Sequence, residues 1–448
     1  MIFISIALLI LFACLTAQDF FLGVLLVVGL LPSYLIRFTI FGIPTTFLEG
    51  MMLIVIGLWV IQKIVSIRSG GSRHACRQAG PSPTQHDRGL MIAIMLLCIT
   101  ATIGLIVSPD KHAALGVYKA FYLEPILFFF VLVDTITGKD SSAQLKMTQE
   151  EMKTKIFRVL GISALFISLF GIVQWIFGVG IPSPWDLERR ITSVFDYPNA
   201  LALFLEPIIV ISWFEITKAT KVFRKRAFWI ATSVLASINV FLAQSEAGIA
   251  ALIVTAFCLL LLSKQTRQQT MAAIFIISTL AFTVPLSRNY LAQKFTFHDA
   301  SERVRLSQWT ETIALLKDHP FFGAGLSGYP IALKPYHKNI ALEIFQYPHN
   351  IILNIWVELG LLGLVAFWLL AWRIVRISAF GRDGLDRPLR DATKNAIPFI
   401  FFEMTVHGLV DVPYFKNDLA MLVWILLAVF IVDYVRPKTS QTKPSGRT

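Results

Sequence analysis

The sequence predicts an all-α fold: a polytopic membrane protein of about 12–13 transmembrane helices with one large extracytoplasmic loop. Three observations carry the prediction. Hydrophobic residues make up 56% of the 448 residues and charged residues 15%, where a soluble domain carries about 25% charge. Apolar runs of roughly 17 to 25 residues, long enough to cross a hydrocarbon core of about 30 Å, recur along the chain. These runs lack the alternation of barrel strands, and within lipid only a helix satisfies its own backbone.

Taken in order, the runs place spans at residues 2–16, 20–36, 46–61, 90–107, 115–133, 156–177 and 198–214, then at 227–243, 247–262, 271–286, 350–372, 396–412 and 419–435. The first is short and either forms a half-span or pairs with the second, which leaves the total at 12 or 13. Ser-Gly-Gly-Ser and Pro-Ser-Pro-Thr between Lys63 and Arg88 mark a flexible connector. The polar stretch 147–155 reads as a helical run-in to the next span, and Pro198 with Asn199 suits the opening turn of another. Glu124-Pro125 and Glu206-Pro207 each set a carboxylate beside a helix kink. Residues 1–177 are therefore read as N-terminal membrane helices, and residues 178–448 as the membrane domain with the functional loop, 287–349.

Lysine and arginine set the orientation. They crowd the links at 63–88, 218–226 and 373–390 and the tail from Arg436, which alternate spans place on one side, and the positive-inside rule makes that side cytoplasmic. The net charge of +12 is thus a topology signal, scattered over short loops, and nucleic-acid binding is excluded as a function class. The opposite face carries the loops at 37–44, 108–114, 179–197, 244–246 and 412–418 and the long loop 287–348. No cleavable signal peptide is expected, because the first run lacks a charged lead-in and continues into further spans. Cys14, Cys76, Cys98 and Cys258 are dispersed with no metal-ligand or redox spacing, so neither a disulfide nor a metal cluster is expected, and no cofactor is implied.

The outer face holds the chemistry. Arg190 stands just above the membrane before Pro198-Asn199. It is either an interfacial arginine that snorkels or a fixed cation for phosphate, which guanidinium binds bidentately. Residues 299–317 read as an amphipathic helix, with Asp299 and Glu302 as a capping pair and Leu306, Trp309, Ile313 and Leu316 on one stripe. Arg305 lies at the edge of that stripe, Arg303 is turned away, and Trp309 is a packing residue. Gly323-Ala324-Gly325-Leu326-Ser327-Gly328 has dinucleotide-fingerprint spacing, but no strand precedes it and it lies outside the cytoplasm, so it is a glycine-rich turn. His349 sits at a helix start marked by Pro348 and Asn350, where the helix dipole favours the neutral imidazole that a general base needs and attracts a diphosphate. Gly360 and Gly363 then permit close helix packing.

Glu49, Lys119, Glu124, Glu206 and Glu403 lie in or near spans, where charge is costly. Internal pairs, such as Lys119 with a glutamate, are one account. A cation or proton path is the other, and it supports a secondary transporter as a rival function. Against the transporter stand the missing internal repeat and the long outer loop, which alternating access does not require.

Four groups of residues occur in order: Arg190 with Pro198-Asn199; Arg305 with Trp309; His319-Pro320 with Gly323 and Gly325; and His349-Asn350 with Gly360 and Gly363. Together they resemble the O-antigen ligase and O-antigen polymerase superfamily of bacterial envelope glycosyltransferases, over roughly residues 189–435. Ser193 departs from a glycine common in that family, and Glu246 from a frequent arginine. The resemblance implies metal-independent transfer or polymerisation of glycan from an undecaprenyl-diphosphate-linked donor onto an acceptor hydroxyl, at the extracytoplasmic face of a bacterial plasma membrane. The implied partners are that lipid-linked oligosaccharide, a glycan or lipid acceptor, and membrane lipid. Carried over residue by residue, it makes His349 the base and Arg190 and Arg305 the diphosphate ligands, with Asn199, Trp309, Asn350, Gly360 and Gly363 in support. A non-catalytic envelope assembly protein of the same fold is the remaining alternative.

Overall fold

The computed structural model of the chain describes residues 2–40, 43–68, 85–138, 147–219, 222–283, 300–338, 342–380 and 395–435. Nearly all of the described elements are helices. Helix α1 (Ile2–Gln18) is followed by α2 (Phe20–Gly29), whose N-terminus is capped by the Asp19 carboxylate accepting from the Leu22 N–H at 3.0 Å. The span expected at 20–36 is in fact this ten-residue helix plus a 3-10 turn (Leu31–Leu35). Pro32 lacks the N–H that would continue α2. The loop expected next is an antiparallel hairpin, β1 (Arg37–Ile40) on β2 (Ile43–Thr46), with Arg37 opposite Thr46.

Helices α3 (Phe47–Arg68) and α4 (Gln85–Val107) follow, then α5 (Lys111–Tyr118), which runs through a π turn (Lys119–Leu123) into α6 (Glu124–Thr137). The kink expected at Glu124-Pro125 is this π turn. Pro125 has no N–H for the Phe121 carbonyl, and the Tyr414 hydroxyl donates to that carbonyl instead. Helix α7 (Gln149–Phe177) opens on a reciprocal capping box between Thr148 and Glu151, as the polar run-in suggested.

The second half contains α8 (Pro198–Lys218), α9 (Phe223–Leu242), α10 (Glu246–Leu262) and α11 (Arg267–Thr283). The long loop carries α12 (Ala300–Asp318) and the short α13 (Tyr329–Leu333). The chain then returns to apolar helices in α14 (Ile351–Phe380), α15 (Ile397–Gly408) and α16 (Asn417–Val435). Among the described residues, six helical stretches are long and apolar enough to cross a membrane: 47–68, 89–107, 111–137, 149–177, 198–218 and 351–379. The apolar helices α1, α2 and α10 are shorter.

Burial tells which helices are central. In α8, 83% of the apolar stretch is buried, against 17% in α3, so α8 runs through the bundle and α3 along its rim. Helices α7 and α9 pack on α8, α15 packs on α8 and α10, α14 lies along α4, and α16 lies against α6. Large apolar side chains such as Phe166, Phe177, Phe241 and Phe275 face outward, as a lipid solvent requires. The pair expected for Lys119 forms with Glu49, Nζ to Oε1 at 2.7 Å.

Two expectations are corrected. The buried face of α12 follows the predicted stripe only in part: Leu316 is buried and Trp309 half-buried, but Leu306 and Ile313 are exposed, and Gln308, Glu311, Thr312 and Leu315 are buried as well. That face is half polar because it receives partners from the rest of the loop, the Tyr329 hydroxyl for Thr312 and His337 for Glu311. Gly360 is not a packing glycine of a continuous helix either. With φ 70° and ψ −175° it breaks α14 in a conformation confined to glycine, and Gly363 folds back under Leu359. The capping pair expected at Asp299 and Glu302, and Cys76, lie outside the residues whose side chains are described.

Candidate functional site

Arg190 is placed by the loop that links α7 to α8. Gln174, near the end of α7, accepts the Thr192 and Ser193 N–H groups on Oε1 at 3.2 and 2.7 Å and donates to the Gly180 and Ser193 carbonyls. Ser193 itself sits at φ 53°, in the left-handed region that favours glycine, and its Oγ donates to the Ile167 carbonyl at 2.7 Å. That hydrogen bond helps to hold serine in this conformation. The Arg190 Nε donates to the Ala243 carbonyl at 3.1 Å, and its guanidinium lies 5.0 Å from the Trp185 ring centroid. Burial works against its charge, Glu188 and Glu246 support it, and Arg305 opposes it. Arg305, from α12, is thus near enough to Arg190 for the two charges to interact. Glu246 adds a carboxylate to this neighbourhood. Arg189 is occupied elsewhere, donating to the Trp175 carbonyl at 3.0 Å, and Arg303 points outward.

His349 is held from several sides. Trp309 donates from Nε1 to the Pro348 carbonyl at 2.8 Å, so this packing residue also anchors the chain just before the histidine. Asn350 caps α14, its Oδ1 accepting from the Ile352 and Leu353 N–H groups at 3.0 Å each, and its Nδ2 donates to the Leu409 carbonyl at 2.8 Å. The histidine backbone, at φ 45°, is left-handed. The imidazole stands edge-on to the Tyr347 and Phe345 rings, at 4.8 and 5.3 Å between centroids. Tyr347 in turn meets Tyr197 at 3.4 Å between hydroxyl oxygens.

The nearest charge to His349 is a residue that no motif flagged. Asp411 lies past the end of α15, buried, with Oδ1 3.5 Å from His349 Nδ1. The Asn199 amide donates to its Oδ2 at 2.9 Å and the Val412 N–H to its Oδ1 at 2.9 Å. Burial pushes the carboxyl up, but the hydrogen bond and charge of His349, the charge of His407 and the Val412 N–H together bring it down to about 2. The helix end was expected to set the state of His349. The carboxylate is the closer influence: it stands 3.5 Å from Nδ1 and favours a proton on that nitrogen, and the imidazole side chain is 24% exposed.

The glycine-rich turn completes the frame. The break at Gly360 frees carbonyls of the preceding turn, and the Ala324 and Gly325 N–H groups donate to one of them, Val357, at 2.7 and 3.2 Å. The Leu361 N–H returns to the Phe321 carbonyl at 3.1 Å, and Leu326 donates to Gly104 in α4 at 3.0 Å. At Gly323 (φ 64°) an added Cβ would stand 2.1 Å from the Val357 carbonyl oxygen. The turn therefore clamps α12 and its arginine onto α14, and the dinucleotide spacing is structural. His337 pins the same loop, with Nδ1 3.0 Å from Glu311 Oε2 and Nε2 2.9 Å from the Leu342 carbonyl.

Below Asp411, Glu206 of α8 meets Glu403 and His407 of α15. Among the described residues this is the group whose ligand atoms, all within 4.8 Å of one another, suit a metal ion. His407 Nδ1 and Glu206 Oε2 stand 2.7 Å apart. Two ligands on one ion with bonds of about 2.0–2.1 Å stand about 3.3 Å apart in tetrahedral geometry. The shorter distance is that of a hydrogen bond.

Several sequence-selected residues lie close to one another: the Arg190 and Arg305 charges interact, Asn199 bonds to the Asp411 carboxylate beside His349, and Trp309 and Asn350 hold the backbone on either side of that histidine. Gly360 and Gly363 shape the helix behind it. No curated protein matches the chain. Residues 231–368, which include Arg305, Trp309, His349, Asn350, Gly360 and Gly363, match the family model Wzy_C, O-antigen ligase, and this match supports the O-antigen ligase and polymerase superfamily for the chain.

Proposed function

We propose that the protein is a membrane glycosyltransferase that transfers or polymerises glycan from an undecaprenyl-diphosphate-linked donor onto an acceptor hydroxyl in cell-envelope polysaccharide synthesis. The observation that carries this reading is the convergence of two arginines with a carboxylate-anchored histidine in an apolar bundle. In the reaction, the acceptor O–H gives its proton to His349 Nε2 while its oxygen bonds to the anomeric carbon. The bond from that carbon to the phosphate oxygen breaks, and the bond's electrons leave with the diphosphate. Arg190 and Arg305 stabilise the charge that develops there, and the α14 N-terminus adds its dipole.

A lipid-linked donor is supported by the surroundings. An apolar cavity opens beside the start of α14, lined among others by Ile351, Ile355, Trp368, Phe402 and Trp424. Ile351 is two residues from His349, so the cavity is a candidate seat for the polyprenyl chain of a donor whose diphosphate is held by the arginines. An extracytoplasmic working face in a bacterial plasma membrane is supported by the lysine and arginine bias of the opposite links.

The test is transfer by the purified, membrane-reconstituted protein, with purified lipid-linked glycan as donor. His349→Ala should lower transfer on the order of 10²–10⁴-fold, the usual worth of a general base, while donor binding largely survives. Full activity in that variant, or activity abolished by chelator and restored by a divalent ion, would refute a metal-independent base mechanism.

A further inference from the structure

Beneath the His349–Asp411 pair lies a second imidazole–carboxylate pair that the transfer chemistry leaves unused. Glu206 and His407 have fully buried side chains, and Glu403 is 1% exposed. Glu206 Oε2 accepts from His407 Nδ1 at 2.7 Å. The remaining polar atoms of the trio, Glu206 Oε1, both Glu403 oxygens and His407 Nε2, have no hydrogen-bond partner that a fully ionised set would supply. Carboxylate oxygens of Glu403 and Glu206 lie within 4.8 Å of each other. A Cβ added at Gly248 would come within 2.0 Å of Glu206 Oε1, so α10 closes the site by backbone alone.

Charge and geometry constrain what occupies it. Two neighbouring buried carboxylates do not both ionise, and an unpaired buried charge is costly. A single proton on Glu403 removes the second carboxylate charge and gives Glu206 Oε1 a donor. Glu206 keeps its charge against His407 Nδ1, and that charge favours a doubly protonated ring although Nε2 has no partner of its own. The 2.7 Å contact, a hydrogen-bond length, commits His407 Nδ1 and Glu206 Oε2 to each other.

We propose that His407, kept cationic by Glu206 with neutral Glu403 behind it, is a positioning residue that holds Asp411 ionised and aimed at His349. The inference rests on the general-base reading of His349. His407 precedes Asp411 by four residues and acts on it through space; the buried Lys416 ammonium also acts on Asp411, so His407 is one of the cations on that carboxylate rather than its sole counter-charge. The charged groups acting on His407 are Glu206 from α8, Asp411 from the following turn and Arg305 from α12, with Glu403 on its own helix. From α10 come the Ser245 hydroxyl and the Gly248 backbone, and from α14 Ile351 packs on Gly408. His407 thus offsets part of the negative charge that Asp411 presents to His349.

The test is the pH dependence of kcat/KM for transfer by the full chain reconstituted in bilayers. Its acidic limb reports protonation of His349. Glu206→Gln and His407→Gln remove the cation, so His349 binds its proton more readily and the limb should move up by on the order of one pH unit. Glu403→Gln replaces one neutral donor by another and should leave the limb in place. Limbs that coincide with wild type in the first two variants would overturn the inference while leaving the transferase reading intact. A shift in Glu403→Gln equal to that in Glu206→Gln, or a stoichiometric metal in the purified wild type that this variant loses, would also overturn it. Absence of transfer by the wild type would instead strike the function itself. Should the first two variants not fold, infrared difference spectra of the wild type decide. A protonated-carboxyl stretch that disappears in Glu403→Gln supports the shared proton, and its absence in the wild type refutes it.

Discussion

Asp411→Asn separates a base that is merely present from a base held in its working state. The carboxylate receives Asn199 on one oxygen and both Val412 and His349 on the other. An amide of the same shape has one acceptor oxygen. If that oxygen faces His349 and Val412, the Asn199 amide must flip, at little cost, and the imidazole keeps its orientation without a counter-charge. If it faces Asn199, an NH₂ confronts Nδ1, and the ring proton moves to Nε2, the nitrogen that must accept. The first outcome sets the smaller loss. At 3.5 Å and an effective dielectric of about 20, a full imidazolium gains about 5 kcal/mol from the carboxylate. With the charge roughly half developed in the transition state, about 2–3 kcal/mol is lost, a fall of about 10²-fold, and the second outcome adds to it. We expect kcat in reconstituted transfer to fall on the order of 10²–10³-fold, with KM for the lipid-linked donor little changed. Asn199→Ala keeps the charge and removes one donor, so its loss should be nearer tenfold. Transfer by Asp411→Asn within threefold of wild type, or a loss seen only in KM, would refute the assignment of Asp411 as the anchor of His349.

Other outcomes follow from the same geometry. Arg190→Lys and Arg305→Lys keep charge but lose the planar fork, and the Arg190 bond to the Ala243 carbonyl with it, so both should cut transfer by about tenfold or more in protein that still folds. Substitutions at Arg189 and Arg303 are the comparison and should act less; equal effects would place the diphosphate elsewhere. Gly360→Ala forces a Cβ to 2.1 Å from the Phe321 carbonyl oxygen at a φ of 70°, which should lower thermal stability by about 1–3 kcal/mol or more. Gly57→Ala, in open space within α3, should stabilise by up to about 1 kcal/mol. Wild-type stability in Gly360→Ala would remove the break from the account of α14. Impermeant thiol reagents applied from outside should label Lys338→Cys and spare Gln265→Cys, and the reverse pattern would invert the proposed active face.

The helices were legible because lipid-like composition leaves the chain no other backbone solution, and the irregularities were legible wherever proline or glycine caused them. Pro125 announced the π turn beside Glu124, whereas Gly360, read as a packing residue, breaks its helix because the clamp at Phe321 and Val357 comes from a loop that sequence spacing does not pair with it. Arg190, Arg305 and His349 stood out as cations and an imidazole at helix mouths on one face. Asp411 did not, since a lone aspartate in a short turn has the same local signature as any solvated loop carboxylate. What distinguishes it is burial together with Asn199 and His349, two residues brought from distant parts of the chain by the packing of α8, α14 and α15. The stripe of α12 held only in part for the same reason: Glu311 and Thr312 are buried because His337 and Tyr329 arrive to satisfy them. In a membrane bundle, then, apolar periodicity fixes which segments enter lipid, but the polar residues that matter are those whose partners come from other helices. His407 shows this most plainly: it sits within an apolar helix where a charge would be prohibitive, and it is tolerated because α8 supplies Glu206 at 2.7 Å.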